Sequence, residues 1–203
     1  MKISNFKIAL AFLLAIGSLI AFSFTVPTAP ETYKVDTQAS VVNWKAYKVT
    51  GQHFGTVNIK SGALQFTDGN LTGGSFEMDM TTIKVLDNPG EWATKLEGHL
   101  KADDFFGVEK NPAAQFVITK VASRGTAGNY RITSNLTIKG ITKEIKFDAT
   151  MNEADGKATG EAALQVDRTD YNISFRSGNF FENLGDKTIY DEFDLNVKLV
   201  ASK

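Results

Sequence analysis

The chain has 203 residues, with 22 Lys and Arg against 23 Asp and Glu, a formal net charge of −1, and no cysteine. No basic run accompanies this balance, which excludes the electrostatic signature of a nucleic-acid-binding protein. The lack of cysteine excludes disulfides, thiolate metal sites and a lipid anchor on an N-terminal cysteine.

Residues 1–23 are predicted to form a secretory signal peptide. Lys2 and Lys7 supply a positive start, the run 8–24 carries no charge, and small residues near Ser23 offer a cleavage site. Retention as a single membrane anchor is the alternative, because the run is close to the length that spans a bilayer. Cleavage removes both lysines, so that 20 basic and 23 acidic residues remain, a net charge of −3. The expected location is then the periplasm or the outside of the cell.

The exported part is predicted to be a single domain. Residues 24–32, with Pro27 and Pro30, are expected to form a short extended leader. Residues 33–203 are long enough to bury a sizeable core without disulfides or metals.

Most of this domain alternates apolar and polar residues with a period of two, the pattern of strands with one buried face. Gly, Asp and Asn separate the alternating segments. Outside the hairpin described next, the apolar positions are Val42, Trp44 and Ala46; Val57, Ile59, Leu64 and Phe66; Phe76, Met78 and Met80; Phe116 and Ile118; Ala158, Ala162, Leu164 and Val166; and Phe193, Leu195, Val197 and Leu199. The pattern predicts about eight antiparallel strands.

The segment Tyr130–Met151 gives the clearest hairpin. Apolar residues occupy even positions up to Ile138 and odd positions from Ile141 onwards. This change of parity predicts a turn at Lys139-Gly140 that places Ile138 opposite Ile141 on one face.

Two segments break the alternation. In Glu91–Asp104, Trp92, Leu96 and Leu100 recur every four residues, which predicts a short helix. The stretch Tyr171–Asp186 is rich in Asn, Ser and Gly but contains three phenylalanines, which predicts an irregular loop over an apolar surface.

Eight such strands can form a sandwich or a closed barrel, whose interior holds side chains or one small ligand. The apolar face points inward in a soluble barrel and outward to lipid in an outer-membrane barrel. Short strands, the lack of paired aromatic girdles and a helix that needs an apolar partner surface favour the inward orientation.

Several motifs occur in register along the domain. They are Gly51–Gly55, Leu71–Phe76 continuing into Met78–Met80, Leu96–Leu100 followed by Asp103–Phe106, Pro112–Phe116, Leu136–Lys143, Asp167–Tyr171 and Leu184–Glu192. In this order they resemble the YceI-like, or polyisoprenoid-binding, family of bacterial periplasmic proteins.

The resemblance implies an all-β fold, a lipocalin-like eight-stranded antiparallel β-barrel with one or two short helices. It also implies a long amphiphilic lipid, a polyisoprenoid or a fatty amide, inside the barrel, with no further cofactor. Expected ligand-binding residues are Trp44, Phe76, Met78, Met80, Leu96, His99, Phe116, Ile118, Phe147, Leu164, Val166 and Phe175. For each of them the alternative is a core residue that only fills space.

The two histidines provide the main alternative function. His53, His99 and the pair Asp103-Asp104 could form the active group of a metal-dependent or hydrolytic enzyme. Zinc catalysis needs three protein ligands, and nothing nearby completes a set with the usual spacing. A structural hydrogen bond from His99 to Asp103 or Asp104 is therefore preferred, and no catalytic or metal-binding residue is assigned.

Arg168 could clamp an anionic headgroup, but a structural ion pair with a carboxylate is the favoured interpretation. The expected function is lipid carriage or storage. Homodimerisation and transient contact with a membrane are left open by the sequence.

Overall fold

The computed structural model describes residues 28–203, so the predicted signal peptide, residues 1–23, and residues 24–27 of the predicted leader lie outside the described residues. The described chain forms nine strands, one α-helix and two short 3-10 turns, Arg168–Tyr171 and Gly185–Lys187. The strands and the helix are β1 (Glu31–Val35), β2 (Val41–Lys48), β3 (Gly51–Thr67), β4 (Asn70–Val85), α1 (Glu91–Lys101), β5 (Ala113–Ser123), β6 (Asn129–Ile138), β7 (Ile141–Ala154), β8 (Lys157–Asp167) and β9 (Ile189–Ser202).

Strands β2 to β9 close into an eight-stranded antiparallel barrel, as the resemblance implied. The order around the barrel is β3-β2-β9-β8-β7-β6-β5-β4, and β4 pairs back onto β3. Strand β1 adds no ninth position, because it continues the line of β2 between the same two neighbours. It places Tyr33 opposite Leu64 on β3 and Val35 opposite Ala201 on β9.

The predicted hairpin is confirmed at residue level. Ile138 lies opposite Ile141, and Lys139 and Gly140 have φ angles of 51° and 76°. Two positive φ angles define the type I′ turn, whose twist matches that of the flanking strands.

The apolar faces point into the barrel and the polar faces point outward. On β7, Phe147 and Ala149 are buried, whereas Glu144, Lys146 and Asp148 are exposed. This arrangement is the reverse of an outer-membrane barrel, which turns an apolar band toward lipid. No helix within residues 28–203 is long and apolar enough to cross a bilayer.

The two ends of the barrel differ. The loop end carries the β2–β3 turn, α1 with the chain leading to β5, the β6–β7 turn and the long β8–β9 connection. The terminal end carries the other three turns, the start of β1 and the end of β9. Helix α1 packs against β4, where the Glu97 carboxylate accepts the Val85 N–H at 2.9 Å.

The helix is shorter than predicted and ends at Lys101 instead of Asp104. Ala102 is extended, with ψ 165°, and the N–H groups of Phe105 and Gly107 turn back to its carbonyl. The reason is that Phe105 and Phe106 pack into the end of the barrel, which a continuing helix would prevent.

At Gly55 the backbones of β3 and β4 lie too close together to leave room for a side chain. A Cβ there would collide with the Lys84 carbonyl oxygen and lie 2.7 Å from Cζ2 of Trp44. We expect Gly55→Ala to lower the free energy of unfolding by about 1–3 kcal/mol, because backbone cannot move aside cheaply. The matched control is Gly98→Ala in α1, where nothing lies within 4 Å. It should raise stability by about 0.5–1 kcal/mol through helix propensity. Urea denaturation of both variants measures the contrast, and equal effects would contradict it.

Candidate functional site

The interior of the barrel holds an apolar cavity of about 190 Å³. Every strand from β2 to β9 contributes apolar lining, joined by Leu100 at the end of α1 and by Phe105 and Phe106. A barrel of eight strands is wide enough for one small ligand, and here side chains leave part of that space open.

Three phenylalanines form a row across one wall of the cavity. The ring centroids of Phe76 and Phe116 are 5.7 Å apart, and those of Phe116 and Phe147 are 5.8 Å apart. Their tilted geometry is the preferred one for aromatic pairs. The row gives the cavity a broad apolar surface, and Met78 and Met80 beside it can adapt to irregular ligand shapes.

Eight of the twelve predicted site residues line the cavity. They are Trp44, Phe76, Met78, Met80, Phe116, Ile118, Phe147 and Leu164. All eight belong to strands, where the alternating pattern gives the direction of each side chain.

The other four lie elsewhere. Val166 is buried in the packed core, and Leu96 is half-buried on α1 outside the cavity. His99 and Phe175 stack edge-on at 4.8 Å, and both contact Phe105. His99 and Phe175 therefore pack behind Phe105, which lines the cavity, and do not line it themselves.

The β8–β9 connection only partly matches its prediction as a loop over an apolar surface. Phe175 packs against the core, but Phe180 and Phe181 are 60% and 49% exposed. The chain turns at Ser177, whose carbonyl accepts the N–H groups of both Phe180 and Phe181.

The terminal end is filled with aromatic side chains. Tyr33 and Phe66 are almost completely buried, with their rings 4.9 Å apart. The Tyr33 hydroxyl donates to Glu153 at 2.6 Å, and this hydrogen bond raises the pKa of the tyrosine. The Tyr130 hydroxyl accepts the Leu71 N–H at 3.3 Å. The cavity is therefore closed at this end.

Arg168 is the one buried cation beside the cavity among the described residues, and its donors are all used. Its guanidinium bonds to the carbonyls of Ile173, Phe175, Ile189 and Tyr190 and to the Asp191 carboxylate at 3.0 Å. Burial lowers the pKa of Arg168, and Asp191 opposes that effect. The predicted structural ion pair is present, and no donor remains for a headgroup.

The two histidines bind separate carboxylates. His99 Nε2 lies 2.8 Å from Asp104, as the favoured structural interpretation required, and Asp103 binds Lys110 at 2.6 Å. His53 Nδ1 lies 2.7 Å from Asp87. Within residues 28–203 no group of three or more His, Asp or Glu side chains is placed to hold a metal ion.

Asp87 fixes the start of β3 to the chain that follows β4. Besides His53, its carboxylate accepts the Phe54 N–H at 2.8 Å. Burial raises the pKa of this carboxyl, but the hydrogen bonds from His53 and the Phe54 N–H outweigh it, and the net shift is downward. A lowered folded-state pKa means that the ionised carboxylate stabilises the fold.

We expect Asp87→Asn to lower the free energy of unfolding by about 1.5–3 kcal/mol at neutral pH. The stabilisation is complete above the unfolded-state pKa of about 4 and is lost as the pH falls through the lower folded value. Chemical denaturation should therefore show a difference in unfolding free energy between wild type and variant that becomes smaller at acidic pH. The exposed Asp148, beside Arg124 and Arg131, is the control, and Asp148→Asn should cost less than about 1 kcal/mol. A gap that is independent of pH would contradict this role for Asp87.

Most of the lining was not singled out as site residues from the sequence. The largest omitted group comes from β9, where Phe193, Leu195, Val197 and Leu199 all face the cavity. The alternation of these four residues predicts that they face the interior, but it does not show where along the barrel axis the cavity lies.

These features define a class of protein, a closed antiparallel barrel that encloses an apolar cavity. The chain matches the family model of the YceI-like domain over residues 33–201. It is 30% identical over 164 residues to a UPF0312 protein of Shewanella denitrificans, covering 78% of this chain and 83% of that protein. A UPF0312 protein of Pectobacterium carotovorum is 34% identical over 152 residues, or 74% of each chain.

Solved structures share the fold at low identity. BcnA of Burkholderia cenocepacia has a TM-score of 0.67 at 20% identity, covering 83% of this chain and 99% of its own. A polyisoprenoid binding domain from Saccharophagus degradans, implicated in plant cell wall breakdown, has a TM-score of 0.61 at 13% identity, covering 84% and 97%. The chain belongs to the YceI-like domain family.

Proposed function

We propose that the protein holds the tail of a long-chain amphiphilic lipid, of polyisoprenoid or fatty amide type, in the barrel cavity for carriage or storage. One observation carries the proposal: an apolar cavity lined by all eight barrel strands, beside which the one buried cation among residues 28–203 has no donor to spare. The polyisoprenoid binding domain with the same fold supports the isoprenoid class of ligand.

The size of the cavity suits part of an apolar tail. An engineered apolar cavity of about 150 Å³ stays dry and binds benzene. The present cavity is larger, and rotamer changes of Met78 and Met80 can extend it. Burying about 600 Å² of tail would contribute roughly 15 kcal/mol, against association costs of about 4–15 kcal/mol. Chain length and preorganisation of the cavity therefore decide the affinity.

The proposed location is the periplasm, or the medium outside the cell. It rests on the predicted signal peptide, residues 1–23, and on the value of a water-filled compartment for a protein that shields an apolar tail. No catalytic residue is assigned in this proposal. The lipid is the bound ligand, and the proposal includes no cofactor.

Protein purified from its own host should carry the lipid. Native mass spectrometry is expected to show a complex one ligand heavier than the chain, and solvent extraction should release an amphiphile with a long apolar tail. A chain that leaves the host without any bound mass, and takes up no isoprenoid alcohol or fatty amide afterwards, would contradict the proposal.

A further inference from the structure

The exposed apolar side chains of this barrel are gathered at one end. Eight large hydrophobic residues among residues 28–203 are strongly exposed, and seven of them lie at the loop end. Val117, on the outer face of β5, is the exception. The seven form what we call the apolar arc: Val49, Phe54, Leu86, Trp92, Phe180, Phe181 and Tyr190.

Four members of the arc lie on neighbouring strands. In the order β9-β2-β3-β4, Tyr190 lies at the start of β9, Val49 in the β2–β3 turn, Phe54 near the start of β3 and Leu86 just after β4. The other three are Trp92 on α1 and Phe180 and Phe181 in the β8–β9 connection. The Val49 N–H bonds to the Thr188 carbonyl at 3.2 Å, and the Leu86 N–H bonds to the Phe54 carbonyl at 2.9 Å. These bonds join the strand positions into one stretch of the rim, and Trp92 lies beside it, with its ring centroid 4.7 Å from that of His53 on β3.

The opposite sector of the same end is polar. There the Lys110 ammonium bonds to Asp103 at 2.6 Å, and Lys139 bonds to the Asp103 carbonyl at 2.6 Å. Exposed apolar surface of this extent, bordered by polar groups, marks an interaction site. The loop end therefore has an apolar side, formed by the arc, and a polar side opposite it.

The cavity reaches the arc. Tyr190 lines the cavity and is also 50% exposed at the rim. Beside it the ladder between β2 and β9 skips from the pair Ala46–Phe193 to the pair Lys48–Ile189. The ladder is consequently interrupted where the cavity and the arc meet.

We propose that the apolar arc docks the barrel onto the surface of a lipid bilayer, so that the tail of a membrane lipid passes between the bilayer and the cavity beside Tyr190. The inference rests on the proposed function, because an apolar tail must come from or go to a bilayer. Trp, Tyr and Phe are the residues that anchor proteins at the membrane interface.

Charge near the arc predicts which bilayers it binds. Lys48 precedes Val49 and Lys45 lies opposite Phe54, whereas Asp87 follows Leu86 and Glu182 follows Phe181, so that both signs of charge stand next to members of the arc. The chain without its predicted signal peptide is slightly acidic. Attraction to anionic lipid is therefore weak, and apolar burial provides the binding. Neutral phosphatidylcholine vesicles should bind the protein, with little dependence on salt.

The test is flotation of the purified, exported protein with phosphatidylcholine vesicles. The variant Phe180→Ser with Phe181→Ser should bind at least about tenfold more weakly, because both exposed rings leave the interface. Val117→Ser, which removes the exposed apolar residue outside the arc, should bind like wild type. As reporters, Phe181→Trp and Val117→Trp are made in a chain whose own Trp44 and Trp92 are replaced by phenylalanine, because Trp92 belongs to the arc and Trp44 lines the cavity. In that chain Phe181→Trp should be quenched by brominated lipid and Val117→Trp should not.

Each other outcome would overturn the docking proposal. These are no binding by wild type, equal loss in the Val117 variant, or loss of self-association instead of vesicle binding in the Phe180 and Phe181 variant. Retained lipid, measured by mass spectrometry on the same preparations, reports on the proposed function separately. A barrel that carries lipid but does not float would refute the docking alone.

Discussion

Replacing Arg168 with methionine is expected to lower the free energy of unfolding by about 3–5 kcal/mol. Removing the guanidinium leaves Asp191 buried without its counter-charge and four backbone carbonyls without their donor. Asp191 also accepts from Ser177 Oγ at 2.9 Å and from Asn179 at 2.8 Å. The β8–β9 connection would lose the group that holds it across the loop end.

Three further variants separate the causes. Arg168→Lys should recover little, because three donors on a point charge cannot replace a five-donor planar fork. Arg168→Met with Asp191→Leu should be more stable than Arg168→Met alone, since no uncompensated charge remains. Lys198→Met removes the exposed ion pair with Glu161 and should cost less than about 1 kcal/mol. Calorimetry or guanidinium denaturation gives all four values. A cost for Arg168→Met no larger than for Lys198→Met would refute the structural role.

The ion-pair partner of Arg168 could not be predicted from the sequence. Its neighbours Asp167 and Asp170 were visible in the sequence, but the partner it contacts, Asp191, is 23 residues away on β9. Periodicity locates strands, whereas the return path of a long irregular connection depends on contacts that no local pattern encodes. The structure was therefore needed to decide whether Arg168 binds a headgroup or forms an ion pair.

Side-chain direction on strands was the most predictable property of the site. Phe76, Phe116 and Phe147 line the cavity because a period of two fixes which face each residue occupies. The resemblance predicted that the sheet closes into a barrel, but the sequence pattern did not predict strand β1. It has five residues, of which only Tyr33 and Val35 are buried, too short a pattern to separate from a leader.

Residues on irregular segments were the least predictable. Leu96 and His99 stand in a recognisable motif and Phe175 is an apolar residue of the irregular connection, so the sequence predicts all three as ligand-binding residues. Helix α1 lies outside against β4, and it contributes to the cavity only through Leu100 at its end. A motif identifies the fold, but its residues need not touch the ligand.

Filling the cavity with Ala162→Phe should abolish most lipid retention while leaving the fold intact. Ala162 faces the cavity on β8, and a space of about 190 Å³ accepts a benzene-sized ring without the usual cost of overpacking. A tail that loses about 100 Å² of contact loses roughly 2.5 kcal/mol, more than tenfold in affinity. Ala163 is adjacent on the same strand but exposed on the outer face, so Ala163→Phe is the matched control.

Lipid per protein is measured by extraction and native mass spectrometry, and stability by denaturation, for both variants and wild type. Retention should fall only in the Ala162 variant, whose unfolding free energy should stay within about 1 kcal/mol of that of wild type. Equal retention in both variants would mean that the ligand does not occupy the space beside Ala162. A strongly destabilised Ala162 variant would instead mean that the interior is packed, because only an open cavity can take in the added ring without strain.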